Sequence, residues 1–247
     1  MRIKIKFTPN TQKVPIQNFP LMNSYIHKCI GKNNEYHDKT GSYNISSIQG
    51  GSRIGETDFL DFKQGAFFCI SAINDDVKII DIIMKGIIEN PEFGFGMKFD
   101  GIEFMDDKFI NGINEFLTLS PILLKEQKPG EKPIFLTYKD PEFEEKLTQR
   151  TINKLLKINP DLNLKNFKIT VPKRESNRVK TFFVNKVPNK SSQCPVNINC
   201  NKEVAEILYN IGLGQSTNSG FGCIYKSESH RNYRKTKIVK KQILQEA

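Results

Sequence analysis

Strand-like and helix-like stretches alternate along this chain in an order that constrains the fold more than composition does. "RIKIKFTP" alternates apolar and basic residues, the period-2 signature of a strand, and stops at Pro9. In "NSYIHKCIGK" the pairs Tyr25/Cys29 and Ile26/Ile30 lie four apart, as on one face of a helix. "GSYNISSI" and "GAFFCISAI" are rich in β-branched or aromatic residues and open on glycine, which predicts two strands. "DDVKIIDIIMKGIIENP" predicts a helix capped by Asp75 or Asp76. Ile80, Ile83, Met84 and Ile87 form its apolar face, and Asn90-Pro91 is its stop. "FDGIEFMDD" and "NEFLTLSPI" predict two further strands. The order is β-α-β-β-α-β, the ferredoxin-like split unit.

The second half reads the same way. "KPIFLTY" predicts a strand, and "DPEFEEKLTQRTINKLL" a helix with Asp140 as N-cap and Pro141 at its first position. Phe143, Leu147, Thr151 and Leu155 recur four apart on that helix. "NFKITV" and "KTFFVNKV" predict strands. "NKEVAEILYNIG" predicts a helix with Val204, Ile207, Leu208 and Ile211 on one face and Gly212 as its stop. "FGCIYK" predicts the closing strand. The expected architecture is α+β: two tandem ferredoxin-like (RRM-like) domains with antiparallel sheets, over 1–122 and 123–228, then a basic tail, 229–247. Seven Lys or Arg residues fall from Lys226 to Lys241.

The chain has 247 residues and a formal net charge of +10, which favours a polyanionic partner. Its longest apolar stretch, "VKIIDIIMKGII", is interrupted by Lys78, Asp81 and Lys85 and is too short to span a bilayer. "MRIKIKF" lacks the apolar core of a signal peptide, so the reading is a cytoplasmic protein without membrane association. Five scattered cysteines complete no zinc pattern and read as reduced thiols. Acid-rich pieces such as "MDDKF" and "EFEEK" form no carboxylate cluster, so no metal and no cofactor are expected.

"GLGQSTNSGFG", Gly212 to Gly222, is the least ordinary segment. It carries no Lys-Ser/Thr pair, so it is not a P-loop, and it follows a helix rather than opening one, so it is not a dinucleotide fingerprint. Glycines let a backbone approach another chain closely. Gly212, Gly214, Gly220 and Gly222, with the small polar groups of Gln215, Ser216, Asn218 and Ser219, suit phosphate or sugar oxygens; a packed turn is the structural alternative. Eight Lys or Arg residues against one acid lie between Lys165 and Lys190. The core of that run, "PKRESNRVK", places Lys173, Arg174, Arg178 and Lys180 in an expected hairpin loop that can lie along an RNA backbone. "GGSRIG" offers Arg53 in a second bare loop. One phenylalanine of "GAFFCIS" must be core, leaving the other for base stacking.

Residues 1 to 228 together resemble the CRISPR-associated repeat endoribonucleases, the Cas-six family. The resemblance rests on "GLGQSTNSGFGCIY", the opening "MRIKIKF", "GAFFCIS" before a long helix, and "LTLSPI" followed by "FLTYKDPEFEEKL". It implies two ferredoxin-like domains and metal-independent cleavage of CRISPR repeat RNA (pre-crRNA). A 2′-hydroxyl attacks the adjacent phosphate and leaves 2′,3′-cyclic phosphate and 5′-hydroxyl ends. Other CRISPR effector subunits are further implied partners, and monomer and homodimer both stay open.

That reaction needs a base, an acid and positive charge at the phosphate. The histidines are His27, His37 and His230. Family members often carry a catalytic His just after the first helix, with a Lys or Tyr a few residues on. His37, Lys39 and Tyr43 match in residue type. In other branches the His and a Tyr lie on that helix, which points to His27 and Tyr25; sites without His also occur. A non-catalytic RNA-binding subunit of a CRISPR effector is the competing reading, and an architectural protein with general nucleic-acid affinity a third.

Overall fold

A computed structural model describes residues 1–31, 43–127, 130–184 and 187–226. His37, Lys39, His230 and the basic tail lie outside the described residues.

The first unit contains β1 (Arg2–Phe7), β2 (Val14–Pro15), α1 (Phe19–Ile30), β3 (Tyr43–Ile45), β4 (Ser52–Arg53), β5 (Phe59–Asp61), β6 (Ala66–Ala72), α2 (Lys78–Glu89), β7 (Glu92–Gly94) and β8 (Met97–Met105). Its antiparallel sheet has the order β3-β6-β1-β8-β7, the ferredoxin-like arrangement with β7 added at one edge. Strands β2, β5 and β4 form a small separate sheet. The alternation read in "RIKIKF" sorts the side chains of β1. Ile3, Ile5 and Phe7 join Tyr25, Ile26, Cys29 and Ile30 of α1 and Ile79, Ile80, Ile83 and Ile87 of α2 in one core. Each fully buried isoleucine contributes roughly 1.5–3 kcal/mol. Arg2 and Lys4 take the opposite face and are buried there too. The N-cap position of α2 falls on neither Asp75 nor Asp76. A one-turn 3-10 segment, Asn74–Val77, leads into the helix, and Val77 is its N-cap without a side-chain bond. Such a tightened turn satisfies first-turn amides that a cap would otherwise serve.

The second unit contains β9 (Gly112–Thr118), β10 (Leu124–Glu126), β11 (Ile134–Leu136), α3 (Phe143–Ile158), β12 (Lys168–Thr170), β13 (Arg178–Val184), β14 (Val187–Gln193), β15 (Val196–Cys200), α4 (Lys202–Ile211) and β16 (Ile224–Lys226). Its antiparallel sheet, β12-β15-β9-β16, repeats the strand order of the first. The chain is thus α+β, with two tandem ferredoxin-like units.

Three expectations change. Strand β9, read from the sequence as the last strand before a boundary at 122, pairs with β15 and β16, so the two sheets divide between Met105 and Gly112. A period-2 pattern announces a strand but not its sheet. "KTFFVNKV" forms β13, which leaves the sheet and pairs with β14 as a hairpin; the sheet position goes to β15, "VNINC", whose Val196, Ile198 and Cys200 face the core. Asp140 does not cap α3: its carboxylate accepts from the Thr137 amide (2.6 Å) and hydroxyl (2.9 Å), closing the preceding turn, and Glu142 is the N-cap.

Polar groups seal the two units together. The Arg2 guanidinium donates to the carbonyls of Ile224 (2.6 Å) and Tyr209 and stacks 3.5 Å from the Tyr209 ring centroid. Ser71 Oγ donates to Asn210 O, the Ser47 amide donates to Ser120 Oγ, and Gln49 Nε2 donates to Leu119 O.

Candidate nucleic-acid interface

Helix α4 opens on Asn201, whose side chain accepts from the Val204 amide, and ends at Gly212 in a left-handed conformation, φ 71°. The chain then doubles back to β16 through the glycine-rich loop. Three backbone bonds of 2.9 Å shape it: Leu213 N–H to Gly222 O, Gln215 N–H to Leu123 O, and Gly222 N–H to Pro121 O. A Cβ on Gly222, at φ 63°, would sit 1.8 Å from Leu213 O. One on Gly220 would meet Met22 Cε at 2.6 Å and Phe19 Cζ at 2.9 Å. These glycines therefore let the loop press between the two units. Gly212, Gly220 and Gly222 are buried, which corrects the reading that all four glycines bare the backbone to RNA. Gly214, Gln215, Ser216, Asn218 and Ser219 form a half-exposed crest. Gln215 Oε1 also accepts from the Lys125 amide (2.7 Å).

Both units hold the loop from below. Asn44 on β3 is fully buried, and its Nδ2 donates to Thr217 O and Phe221 O, each at 3.2 Å. Lys154 on α3 reaches Ile211 O (2.8 Å) and Thr217 Oγ1 (3.1 Å). Tyr43, beside Asn44, shares a side-chain hydrogen bond with Asn218, and burial raises its phenol pKa. Tyr43, a predicted catalytic residue, is itself buried in the core of the first unit, like Tyr25, and from there meets a predicted RNA-binding residue, Asn218.

Hairpin β13–β14 docks on the same place. Phe182 of β13, Phe19 at the start of α1 and Phe221 of the loop form an aromatic triangle, with centroids 5.2, 4.5 and 6.0 Å apart. Gln17 Nε2 adds a bond to Thr181 O. The core of the basic run, residues 172–180, lies along the approach to and the start of this hairpin. Lys173 and Lys180 are exposed. Arg174 pairs with Glu115 at 3.0 Å, and Arg178 braces the turn before β13 through the carbonyls of Glu175 and Asn177. Arg53, in β4, bonds within its own hairpin to Thr57 O and Asp58.

On α1, His27 faces solvent. Tyr25, a catalytic candidate from the sequence, is a core residue: it packs edge-on against Phe7 and Phe93, and its hydroxyl donates to Asn90 O at 2.9 Å. Of the phenylalanine pair on β6, Phe68 is core. Phe67 lies beneath the Lys4 ammonium, 4.7 Å from its ring centroid, which occupies the face a base would need. All five cysteines are buried free thiols. Among the described residues, no helix is long and apolar enough to cross a membrane, and no group of three metal-ligating side chains is assembled.

Asn44, Lys154 and Phe182 were not singled out by the sequence. Their only signal is position: Asn44 adjoins a strand tyrosine, Lys154 flanks the Thr151/Leu155 stripe, and Phe182 doubles an aromatic in a basic hairpin.

Two ferredoxin-like units clasping a glycine-rich loop beside a cationic hairpin define a tandem ferredoxin-like protein with a C-terminal glycine-rich loop. Residues 105–225 match the family model described as CRISPR associated protein Cas6, C-terminal. Among solved structures, a Cas6-related protein from Pyrococcus furiosus is 25% identical, with a TM-score of 0.78 over 92% of this chain and 98% of that one. A CRISPR associated protein Cas6 is 21% identical, with a TM-score of 0.76 over the same shares. A RAMP protein described as binding different RNA substrates is 20% identical, with a TM-score of 0.72 over 92% and 99%. Comparison with curated sequences gives no significant match. Residues 105–225 thus carry the Cas6 C-terminal domain, and the chain as a whole shares the fold of solved Cas6 proteins.

Proposed function

We propose that this protein cleaves CRISPR repeat RNA without a metal, by attack of a 2′-hydroxyl on the neighbouring phosphorus. The O5′–P bond breaks, a 2′,3′-cyclic phosphate forms, and the leaving oxygen departs as a 5′-hydroxyl. The observation that carries this reading is the aromatic triangle of Phe19, Phe182 and Phe221. It gathers α1, the glycine loop and the cationic hairpin into one surface. The RAMP relative that binds RNA shares the fold, which supports an RNA partner here.

In this reading the loop crest holds ribose-phosphate through Ser216, Asn218 and Ser219. Lys173, Arg178 and Lys180 supply the charge that tracks the backbone. His37 takes the 2′-hydroxyl proton or delivers one to the 5′ oxygen, its imidazole being suited to either task near neutral pH. Lys39 offsets phosphate charge. Tyr43 lies beside Asn218. His27, exposed on α1, is the alternative proton carrier.

The test is labelled repeat RNA incubated with the purified protein in EDTA. Cleavage to a cyclic-phosphate end is expected, and none on RNA carrying 2′-deoxyribose at the scissile position. His37→Ala is expected to slow single-turnover cleavage by about 10²–10⁴-fold. Cleavage abolished by EDTA, or surviving on the deoxy substrate, overturns the chemistry. Tight binding without any product favours a non-catalytic RNA-binding subunit instead.

A further inference from the structure

We infer that Lys154 and Asn44 are positioning residues. One from each unit, they clamp Thr217 so that the crest of the glycine loop is held against Tyr43. In its consequence for cleavage this rests on the function proposed above.

Thr217 is gripped by polar side chains from both units. It is 4% exposed; its hydroxyl accepts from Lys154 and its carbonyl from Asn44. The next residue, Asn218, carries the side chain that meets Tyr43. Asn44 follows Tyr43 directly on β3, so the same two residues of the first unit hold Thr217, Asn218 and Phe221. A shift of β3 relative to α3 would therefore move the crest that both hold.

Lys154 is a costly way to do this unless its charge is used. Its ammonium is sequestered beneath the loop, and burial alone pulls its pKa down to about 7, with no carboxylate contributing among the described residues. A buried cation without a counter-ion opposes folding. A neutral donor would serve the carbonyl of Ile211 as well. The arrangement makes sense when an anion occupies the crest above it, because the anion then supplies the missing counter-charge. A phosphate of the bound RNA has that chemistry. Misplacing reacting groups by about 1 Å costs on the order of 10²-fold in rate, so a loose Thr217 should be felt in the chemical step.

The experiment compares wild type, Lys154→Met, Lys154→Arg and Thr217→Val. It measures the single-turnover rate constant on repeat RNA, Kd for the same RNA, and hydrogen–deuterium exchange of residues 212–222 without RNA. Thr217→Val is expected to lower the rate constant by about 10–100-fold with Kd changed less than about threefold, and Lys154→Met to lower it as far while also weakening Kd, because it removes the charge that a phosphate would meet. Exchange in the loop should quicken, and Lys154→Arg should recover most of the rate. An unchanged rate constant in an active protein, or an equal loss in Lys154→Arg, overturns the inference. So does unchanged loop exchange. If the wild type leaves repeat RNA intact, the cleavage reading fails by itself, and the exchange comparison still decides whether Lys154 holds the loop.

Discussion

Gly222 has no room for a side chain. An added Cβ would lie inside the van der Waals radius of Leu213 O, on a backbone whose φ of 63° already disfavours one. Gly222→Ala is expected to destabilise the protein by more than about 1 kcal/mol, read as a lowered Tm, and to weaken repeat-RNA binding through a displaced crest. Lys154 makes the pH dependence testable at the same scale. Its pKa falls from the ordinary lysine value to about 7 on folding. Between pH 7 and about 10.5 the unfolded chain binds a proton that the folded one does not, so this group makes stability rise with pH across that window. Below pH 7 both states carry the proton, and the burial penalty is present in full. The stability of wild type relative to Lys154→Met should therefore rise as pH goes from 7 to 10. Parallel curves would show that the ammonium is not sequestered.

At the scale of elements, hairpin β13–β14 stands apart from the sheet and is held to the loop by Phe182. Phe182→Ala is expected to cost up to about 3 kcal/mol, less than a fully buried phenylalanine because the ring is only partly covered. It should also weaken RNA binding although no cation is lost. The charges are separable from the docking. Replacing Lys173 and Lys180 together with alanine should leave Tm nearly unchanged. If both reach phosphates, the slope of log K against log salt should flatten by about 0.7 per lysine on single-stranded RNA. Titrations at several salt concentrations measure this directly, and an unaltered slope would place both lysines off the RNA path.

For the whole molecule, the seam between the units depends on Arg2. Its guanidinium bonds two carbonyls of the second unit and Ser71 of the first, and it lies on the Tyr209 ring. Arg2→Ala would leave those carbonyls buried without a donor, at about 1–3 kcal/mol each. A fall in Tm of at least about 4 °C is expected for a chain of this size. Loss of the seam should appear in calorimetry as two unfolding transitions in place of one. A single unshifted transition would mean that Ser71, Ser47 and Gln49 suffice.

The sequence by itself determined the elements that repeat a period. Among the described residues, four helices fall where apolar residues recur at helical spacing, with Phe143, Leu147, Thr151 and Leu155 facing the core as read. The strand "RIKIKF" sorts its faces by alternation, and Gly212 ends its helix. These signals are local, because a helix face or a strand face is written in neighbouring residues. Only the tertiary structure decided which sheet β9 joins, that β13 leaves its sheet, and that Tyr25 is core. It also decided that the glycines serve close packing as much as exposure, and that Asn44, Lys154 and Thr217 meet. Pairing partners and buried polar contacts join residues far apart in the chain, here Asn44 with Thr217 and Arg2 with Ile224, and no local pattern encodes that distance.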